Sequence, residues 1–131
     1  MGVFNSLFGG KGNKDKKEEK AIPWIALYSI EQLEEIVEKS LSKPQFIFKH
    51  STTCGISRMV INMFKSGYDL SENQADLYYL DLHRYREVSN EVGYKFQVIH
   101  QSPQLLVIKN GSTIAHASHG AITEVNLQQY I

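Results

Sequence analysis

Segments with the two-residue period of a strand alternate with segments that have the 3.6-residue period of a helix, and this alternation constrains the fold most strongly. The predicted strands lie at residues 24–28, 45–49, 76–82, 104–109 and 112–117. The predicted helices lie at residues 30–42, 56–67 and 83–93, with a terminal one around 125–127. The order β-α-β-α-β-α-β-β-α implies parallel strand pairs with right-handed crossovers. We therefore expect an α/β fold with a mixed central sheet and helices on both faces.

Local signals mark several ends of these elements. Ser29-x-x-Gln32 has the pattern of a capping box and opens the first helix. Asn110-Gly111 is the strongest short hairpin signal and predicts an antiparallel edge. Gly93 is expected to close the third helix. The predicted buried stripe of the second helix consists of Ile56, Met59, Val60, Met63 and Phe64.

Composition separates a tail from one globular domain. Residues 1–20 are rich in Gly, Lys, Asp, Asn and Glu and predict a flexible polar, basic tail, which leaves residues 21–131 as the domain. The start Met1-Gly2-x-x-x-Ser6 matches the short myristoylation pattern, which often matches by chance.

A formal net charge of zero gives no argument for nucleic acid. We expect no secretory signal and no integral membrane segment, and a cytoplasmic location.

Cys54 is the only cysteine, and it stands where a buried strand ends and a helix begins. Sites in α/β sheets form beyond the carboxyl ends of strands, and the N–H groups of a helix N-terminus favour a negative charge. A thiolate is such a charge and is the reactive form of cysteine. Thr53, Gly55 and Ser57 are the candidates to support it: Gly55 permits close backbone approach, and the Ser57 hydroxyl is one turn from the sulfur.

Four further residues are candidates to bind a partner. Lys49 and Arg58 are basic neighbours of Cys54 that could hold an anionic group, although such residues are more often only solvated. Ser102-Pro103 precedes a predicted strand, and proline is tolerated at a strand's first residue. A cis bond there would free the Ser102 backbone to pair with a partner's main chain. The sequence leaves cis and trans open.

The order of elements, Cys54 at the start of a helix and Pro103 before the hairpin resemble a thioredoxin fold over about residues 23–131. Thioredoxins carry Cys-x-x-Cys, whereas this chain has Cys54-Gly55-Ile56-Ser57. It is most similar to the bacterial monothiol bacilliredoxins of the YtxJ type. The segments His50–Cys54, Ile56-Ser57, Ser102–Gln104 and Asn110-Gly111 carry this resemblance. Some members of the family have proline where this chain has Gly55.

The resemblance implies a thiol–disulfide oxidoreductase that removes bacillithiol from protein mixed disulfides. Cys54 would take bacillithiol onto itself, and Ser102 and Pro103 would orient the partner. The chain has no second cysteine, so another bacillithiol or another redoxin must reset Cys54. The family implies no tightly bound cofactor, with bacillithiol as a co-substrate. Its malate group would suit a nearby cation, for which Lys49 and Arg58 are candidates.

Other functions stay open at the level of the sequence. Monothiol glutaredoxins share Cys-Gly-x-Ser and bind an iron–sulfur cluster across a dimer. Glutaredoxin-coupled arsenate reductases share Cys-Gly-x-Ser-Arg but need further arginines, and Ile47 replaces the proline that a one-cysteine peroxidase needs. A metal site could use His116 and His119 with His50 and Cys54, at no defined spacing. A non-catalytic module with Cys54 as a redox sensor is the remaining alternative.

Overall fold

The computed structural model describes residues 21–131, so the predicted tail and the myristoylation pattern at Gly2 lie outside the described residues. The strands are β1 Trp24–Ala26, β2 Gln45–His50, β3 Asp76–Asp81, β4 Gln104–Lys109 and β5 Ser112–Ser118. The α-helices are α1 Glu31–Lys39, α2 Gly55–Gly67 and α3 Arg86–Phe96. Within this part of the chain, no helix is long and apolar enough to cross a membrane.

The five strands form one mixed sheet in the order β1-β3-β2-β4-β5. β3 pairs in parallel with both β1 and β2, while β4 pairs antiparallel with β2 and β5. Each parallel connection passes through a helix, as the sequence pattern predicts. β2 is therefore central, with all six residues buried. The predicted α/β fold with a mixed sheet is confirmed.

Helices cover both faces of the sheet, and each face has its own apolar core. The core on the α1 and α3 side contains Leu33, Ile36, Ile47, Tyr78, Val92, Phe96, Leu106 and Ile108. The core on the α2 side contains Phe46, Phe48, Val60, Phe64, Tyr68, Leu77, Leu105, Val107 and Ile122. Side chains alternate between the two faces along β2, because successive residues of a strand point in opposite directions.

Two of the local signals have the expected geometry. Ser29 N donates to Gln32 Oε1 at 3.0 Å, and Gln32 N donates to Ser29 Oγ at 3.3 Å, which makes a reciprocal capping box. At the hairpin, Asn110 and Gly111 have φ values of 53° and 84°. Both lie in the left-handed region that a two-residue type I′ turn requires.

Two helix ends differ from the prediction. Gly93 lies inside α3, which continues to Phe96 and ends at Gln97 with φ of 57°. A Cβ at Gly93 would lie 3.1 Å from the Val98 carbonyl oxygen, so glycine permits the chain after α3 to pack closely. The expected terminal α-helix is replaced by two 3-10 helices, His119–Glu124 and Leu127–Tyr130. Val125 is extended between them, which interrupts any helical stripe.

The buried face of α2 is rotated from the predicted one. Val60 and Phe64 are buried as expected, but the other inward residues are Ser57 and Ile61. Ile56, Met59 and Met63 are each more than half exposed, at 55%, 56% and 54%. The helix has apolar residues on two adjacent faces. Because Ser57 is polar, the sequence pattern did not identify it as part of the inward face of α2.

Candidate functional site

Cys54 caps the N-terminus of α2, directly after the turn that follows β2. Its backbone is extended, with φ of −107° and ψ of 123°, and its carbonyl accepts the Arg58 N–H at 3.1 Å, which starts the helix. Cys54 N in turn donates to the Ser51 carbonyl at 3.3 Å. The cysteine is thus fixed at both backbone groups and stands at the N-terminus of α2, beside N–H groups that have no partner within the helix.

The Cys54 side chain is partly exposed, and its sulfur has no hydrogen-bond partner within residues 21–131. Thr53 does not bond to it: the Thr53 hydroxyl contacts His83 Nε2 at 3.3 Å and Ser51 Oγ at 3.4 Å. At Gly55 an added Cβ would meet nothing within 4 Å, so the space next to the cysteine is open. The sulfur is therefore accessible to an incoming disulfide.

Ser57 occupies the position of the second cysteine of a Cys-x-x-Cys motif, and its side chain is fully buried. The sequence suggested a bond from its hydroxyl to the Cys54 sulfur. Instead, Ser57 Oγ accepts the Ser51 N–H at 3.1 Å and lies 2.8 Å from His50 Nδ1. Ser57 therefore ties the end of β2 to the start of α2. It positions Cys54 through the backbone rather than through the sulfur.

His50 and His83 belong to the hydrogen-bonded surroundings of Cys54, although the sequence did not single them out as support for it. His50 is buried at the end of β2, and burial lowers its pKa, with Arg58 and Lys65 adding to that effect against Asp81. His83 Nε2 lies 2.8 Å from Ser51 Oγ. The signal was available: His50 and His83 both stand at or just after the ends of adjacent parallel strands, and such ends meet at one edge of a sheet.

Ser102 and Pro103 reach the same end of the sheet as Cys54. Lys49 pairs with Gln104 in the antiparallel β2–β4 register, so one further step places Pro103 opposite His50. The Ser102–Pro103 peptide bond is cis. Pro103 is buried, and its carbonyl accepts the His119 N–H at 3.0 Å. The Ser102 hydroxyl oxygen is buried without a hydrogen-bond partner in the described part of the chain.

Lys49 is a correction to the predicted site. Its side chain is fully buried, so it does not offer a surface cation to a partner. As the neighbour of His50 on a strand, it points to the opposite face of the sheet, toward α1 and α3. Its Nζ lies 3.0 Å from His100 Nδ1, and burial lowers the pKa of Lys49 to about 8. The two-residue period of β2 predicts this burial, because Lys49 lies on the same face of the strand as buried Ile47.

Arg58 remains an exposed cation one helical turn after Cys54. It is flanked on α2 by the exposed apolar residues Ile56 and Met59. The suggested histidine cluster does not form: within residues 21–131, no three His, Cys, Asp or Glu side chains are grouped as metal ligands. This end of the sheet thus holds Cys54, the hydrogen-bonded side chains around it, the cis Ser102–Pro103 peptide and the exposed Arg58.

This arrangement suits nucleophilic attack by sulfur on a disulfide. The sulfur stands at a helix N-terminus and is open, and the supporting hydrogen bonds fix the backbone rather than occupy the sulfur. The chain has a single cysteine, so a disulfide formed at Cys54 must be resolved by a thiol from another molecule.

Comparison with known proteins agrees with this geometry. A solved structure provisionally described as an oxidoreductase with a thioredoxin fold is 36% identical with a TM-score of 0.69, covering 82% of this chain and 92% of that chain. Thioredoxin from Malassezia sympodialis (Mala s 13) is 20% identical with a TM-score of 0.64, covering 86% and 90%. Thioredoxin O2 from Arabidopsis thaliana is 20% identical with a TM-score of 0.60, covering 82% and 90%. A family model, monothiol bacilliredoxin BrxC, matches residues 25–127. The chain therefore belongs to the monothiol bacilliredoxin BrxC family, which has a thioredoxin-like fold and a redox function.

Proposed function

We propose that the protein removes bacillithiol from protein mixed disulfides by thiol–disulfide exchange at Cys54. The observation that carries the proposal is the lone, partly exposed Cys54 at the start of α2, with Ser57 buried at the position of a resolving cysteine. Such a site can accept a thiol but cannot release it by itself. Membership in the bacilliredoxin family supports bacillithiol as that thiol.

The exchange has two steps. The Cys54 thiolate attacks the bacillithiol sulfur of the mixed disulfide, the client–bacillithiol S–S bond breaks, and the client thiolate leaves and takes up a proton. A second bacillithiol thiolate then attacks the bacillithiol sulfur bound to Cys54. This releases the Cys54 thiolate and oxidised bacillithiol, so one capped client and one bacillithiol thiol become one client thiol and one bacillithiol disulfide. Another redoxin could replace the second bacillithiol as reductant.

The surroundings of Cys54 agree with this role. The exposed apolar side chains Ile56 and Met59 beside it suit contact with a client protein. Ser102 and Pro103, at the same end of the sheet, are the candidates to orient the client's backbone. A lone cysteine in the reduced form fits a reducing compartment, and we propose the cytoplasm.

A transfer assay read by intact-mass spectrometry tests the proposal. The full-length protein is mixed with a client that carries one bacillithiol as a mixed disulfide, next to a Cys54→Ala control and a glutathione-capped client. We expect the mass of bacillithiol to move to Cys54, and the client to stay capped with Cys54→Ala. With excess bacillithiol, the rate of client release should saturate with client concentration, as it does for an enzyme.

Three results would contradict this function. Transfer from the glutathione-capped client alone would mean that the thiol is wrong. Transfer of one equivalent without turnover in excess bacillithiol would indicate a redox sensor. Release of the cap by the Cys54→Ala variant at the wild-type rate would remove Cys54 from the reaction.

A further inference from the structure

A groove of about 440 Å³ lies between α3 and the segment that follows it, residues 97–100, and we call it the α3 groove. Its volume is within the range of small-molecule sites. The wall on the helix is one stripe of α3, formed by Ser89, Asn90, Gly93 and Tyr94. Ile99 and His100 line the groove from the opposite side, and Cys54 is not among its lining residues.

Ser89 is a buried polar residue in this wall. It is 1% exposed, and its hydroxyl oxygen has no hydrogen-bond partner within residues 21–131. Buried hydroxyls of folded proteins are nearly always paired, because an unpaired one lowers stability. Since Ser89 lines the α3 groove, a bound molecule with an acceptor atom could supply the missing partner. The unpaired hydroxyl is therefore an observation that points to a ligand.

His100 has one free donor in the same groove. Burial lowers the pKa of Lys49 only to about 8, so its amine is largely charged at pH 7 and can only donate. Lys49 Nζ lies 3.0 Å from His100 Nδ1, which makes Nδ1 the acceptor and leaves the proton of the neutral ring on Nε2. In the part of the chain that the structure describes, Nε2 has no hydrogen-bond partner. The buried lysine thus fixes His100 as an N–H donor for a ligand.

The end of the groove at His100 is positively charged. Desolvation lowers the pKa of His100, and the charges of Lys49 and Arg86 lower it further. Both of these charges are positive, and Arg86 has no ion-pair partner within residues 21–131. Arg86 is three residues before Ser89, so this cation and the unpaired hydroxyl lie on the same side of α3. A negatively charged group is therefore favoured at this end of the groove.

Two exposed apolar side chains stand on the two sides of the groove. Tyr94 is 78% exposed and Ile99 is 84% exposed, the highest values for large hydrophobic side chains among the described residues. Tyr94 belongs to α3 and Ile99 to the segment after it. A flat ring between them would stack on the tyrosine and contact the aliphatic isoleucine. The groove thus combines an apolar part with a polar, positive end.

We propose that the α3 groove binds a small aromatic carboxylate. The carboxylate accepts hydrogen bonds from the Ser89 hydroxyl and from His100 Nε2, and Arg86 adds charge attraction. The ring lies between Tyr94 and Ile99. This binding site is additional to the proposed thiol exchange and uses none of its residues, so its test does not depend on that function.

Calorimetric titration of the full-length protein at pH 7 tests the site, with 2-naphthoate as the probe and neutral 2-naphthamide as the matched ligand. We expect a Kd of about 0.1–1 mM for 2-naphthoate, as is usual for a ligand of this size. Binding of 2-naphthamide should be about 5-fold weaker, because exposed charges add modestly to affinity. In the 15N-labelled protein, changes of amide chemical shift should be centred on residues 89–100.

Three variants separate the parts of the site. Ser89→Ala should weaken 2-naphthoate binding about 5-fold without destabilising the free protein, because no existing hydrogen bond is lost. Tyr94→Ala should weaken both ligands equally, because contact with the ring does not depend on charge. Arg86→Gln should weaken only 2-naphthoate, and by less at high salt. Ser66→Ala, at an exposed helical serine on the other face of the sheet, is the matched control and should bind as the wild type does.

Several outcomes would overturn the proposal. A lack of saturable 2-naphthoate binding in the millimolar range, or equal affinity for 2-naphthamide, would reject an anion site. Chemical shift changes centred outside residues 89–100 would place the ligand elsewhere. Wild-type affinity in Ser89→Ala would show that the unpaired hydroxyl does not contact the ligand. A loss of affinity in Ser66→Ala as large as in Ser89→Ala would mean that the effect does not come from the groove.

Discussion

Lys49 is an unusual residue for the centre of a sheet. Charged side chains are rarely fully buried unless paired with an opposite charge, and here the neighbour is the neutral nitrogen His100 Nδ1. Partial desolvation, with the charges of Lys49 and Arg86, lowers the pKa of His100, which keeps that imidazole neutral as an acceptor. Burial of the charged form of Lys49 therefore lowers the stability of the folded protein.

We expect Lys49→Met to raise the free energy of unfolding at pH 7 by about 1–3 kcal/mol. The reason is that burial lowers the pKa of Lys49 from 10.5 to about 8, so keeping the buried amine charged costs free energy. Below pH 8 both the folded and the unfolded protein hold the proton, so the full burial cost is present. Between pH 8 and 10.5 the unfolded chain binds more protons, so the wild type gains stability as pH rises. The advantage of Lys49→Met should therefore shrink between pH 7 and pH 9.5.

Urea unfolding of both proteins at the two pH values measures this gap. Lys39→Met, at an exposed lysine on α1, is the control and should follow the wild type. Tyr68 and Tyr78, with pKa values raised to about 12, affect stability only above pH 10 and do so equally in each protein. Parallel stability curves for wild type and Lys49→Met would show that Lys49 carries no burial cost.

At the scale of the element, α2 has two apolar faces with different roles. Val60, Ile61 and Phe64 pack into the core, while Ile56 and Met59 remain exposed beside Cys54. Exposed apolar side chains next to a reactive group are suited to contact a protein partner. A small disulfide, in contrast, needs only access to the sulfur.

The double variant Ile56→Ser/Met59→Ser should slow exchange with a folded capped client by about 5-fold, because two half-exposed side chains lose roughly 1 kcal/mol of contact. Exchange with hydroxyethyl disulfide should stay at the wild-type rate. Mass spectrometry of samples quenched at set times measures both rates. Ile114→Ser, at a 48% exposed residue on β5, is the control. A loss of reactivity toward the small disulfide as well would indicate a damaged helix start rather than a client surface.

At the scale of the whole molecule, residues 21–131 supply buried apolar side chains to a core on each face of the sheet. We therefore predict that deletion of residues 1–20 changes the free energy of unfolding by less than about 0.5 kcal/mol. The rate of Cys54 exchange with hydroxyethyl disulfide should not change either. Urea titration and the exchange assay on the shortened chain check this. A lower urea midpoint would place part of the first 20 residues in the fold.

The order of elements followed from the sequence because period and turn chemistry are local properties. The capping box at Ser29 and the turn at Asn110-Gly111 depend only on neighbouring residues. The position of Cys54 followed from the same reasoning, since a strand end and a helix start are adjacent in sequence. The sequence thus predicted the secondary structure around Cys54.

The failures concern contacts between distant segments. The rotated face of α2 depends on Ser57 bonding to His50, and the position of Gly93 depends on the backbone of Val98. His83 reaches Ser51 across 32 positions of sequence. The contacts of Ser57 and Gly93 have no local pattern, so they appear only in three dimensions. Lys49 and His83 are different, because the strand pattern alone places Lys49 in phase with buried Ile47 and His83 just after the end of β3.

The two hydrogen bonds of Ser57 have a consequence for reaction order. Its hydroxyl is committed to Ser51 and His50, and the chain holds no second thiol, so there is no unimolecular route out of a disulfide at Cys54. The lifetime of that disulfide is then inversely proportional to the concentration of the thiol that attacks it. When that thiol is scarce, the protein accumulates in its capped form. The capped fraction of Cys54 is therefore a direct readout of how much reducing thiol surrounds the molecule.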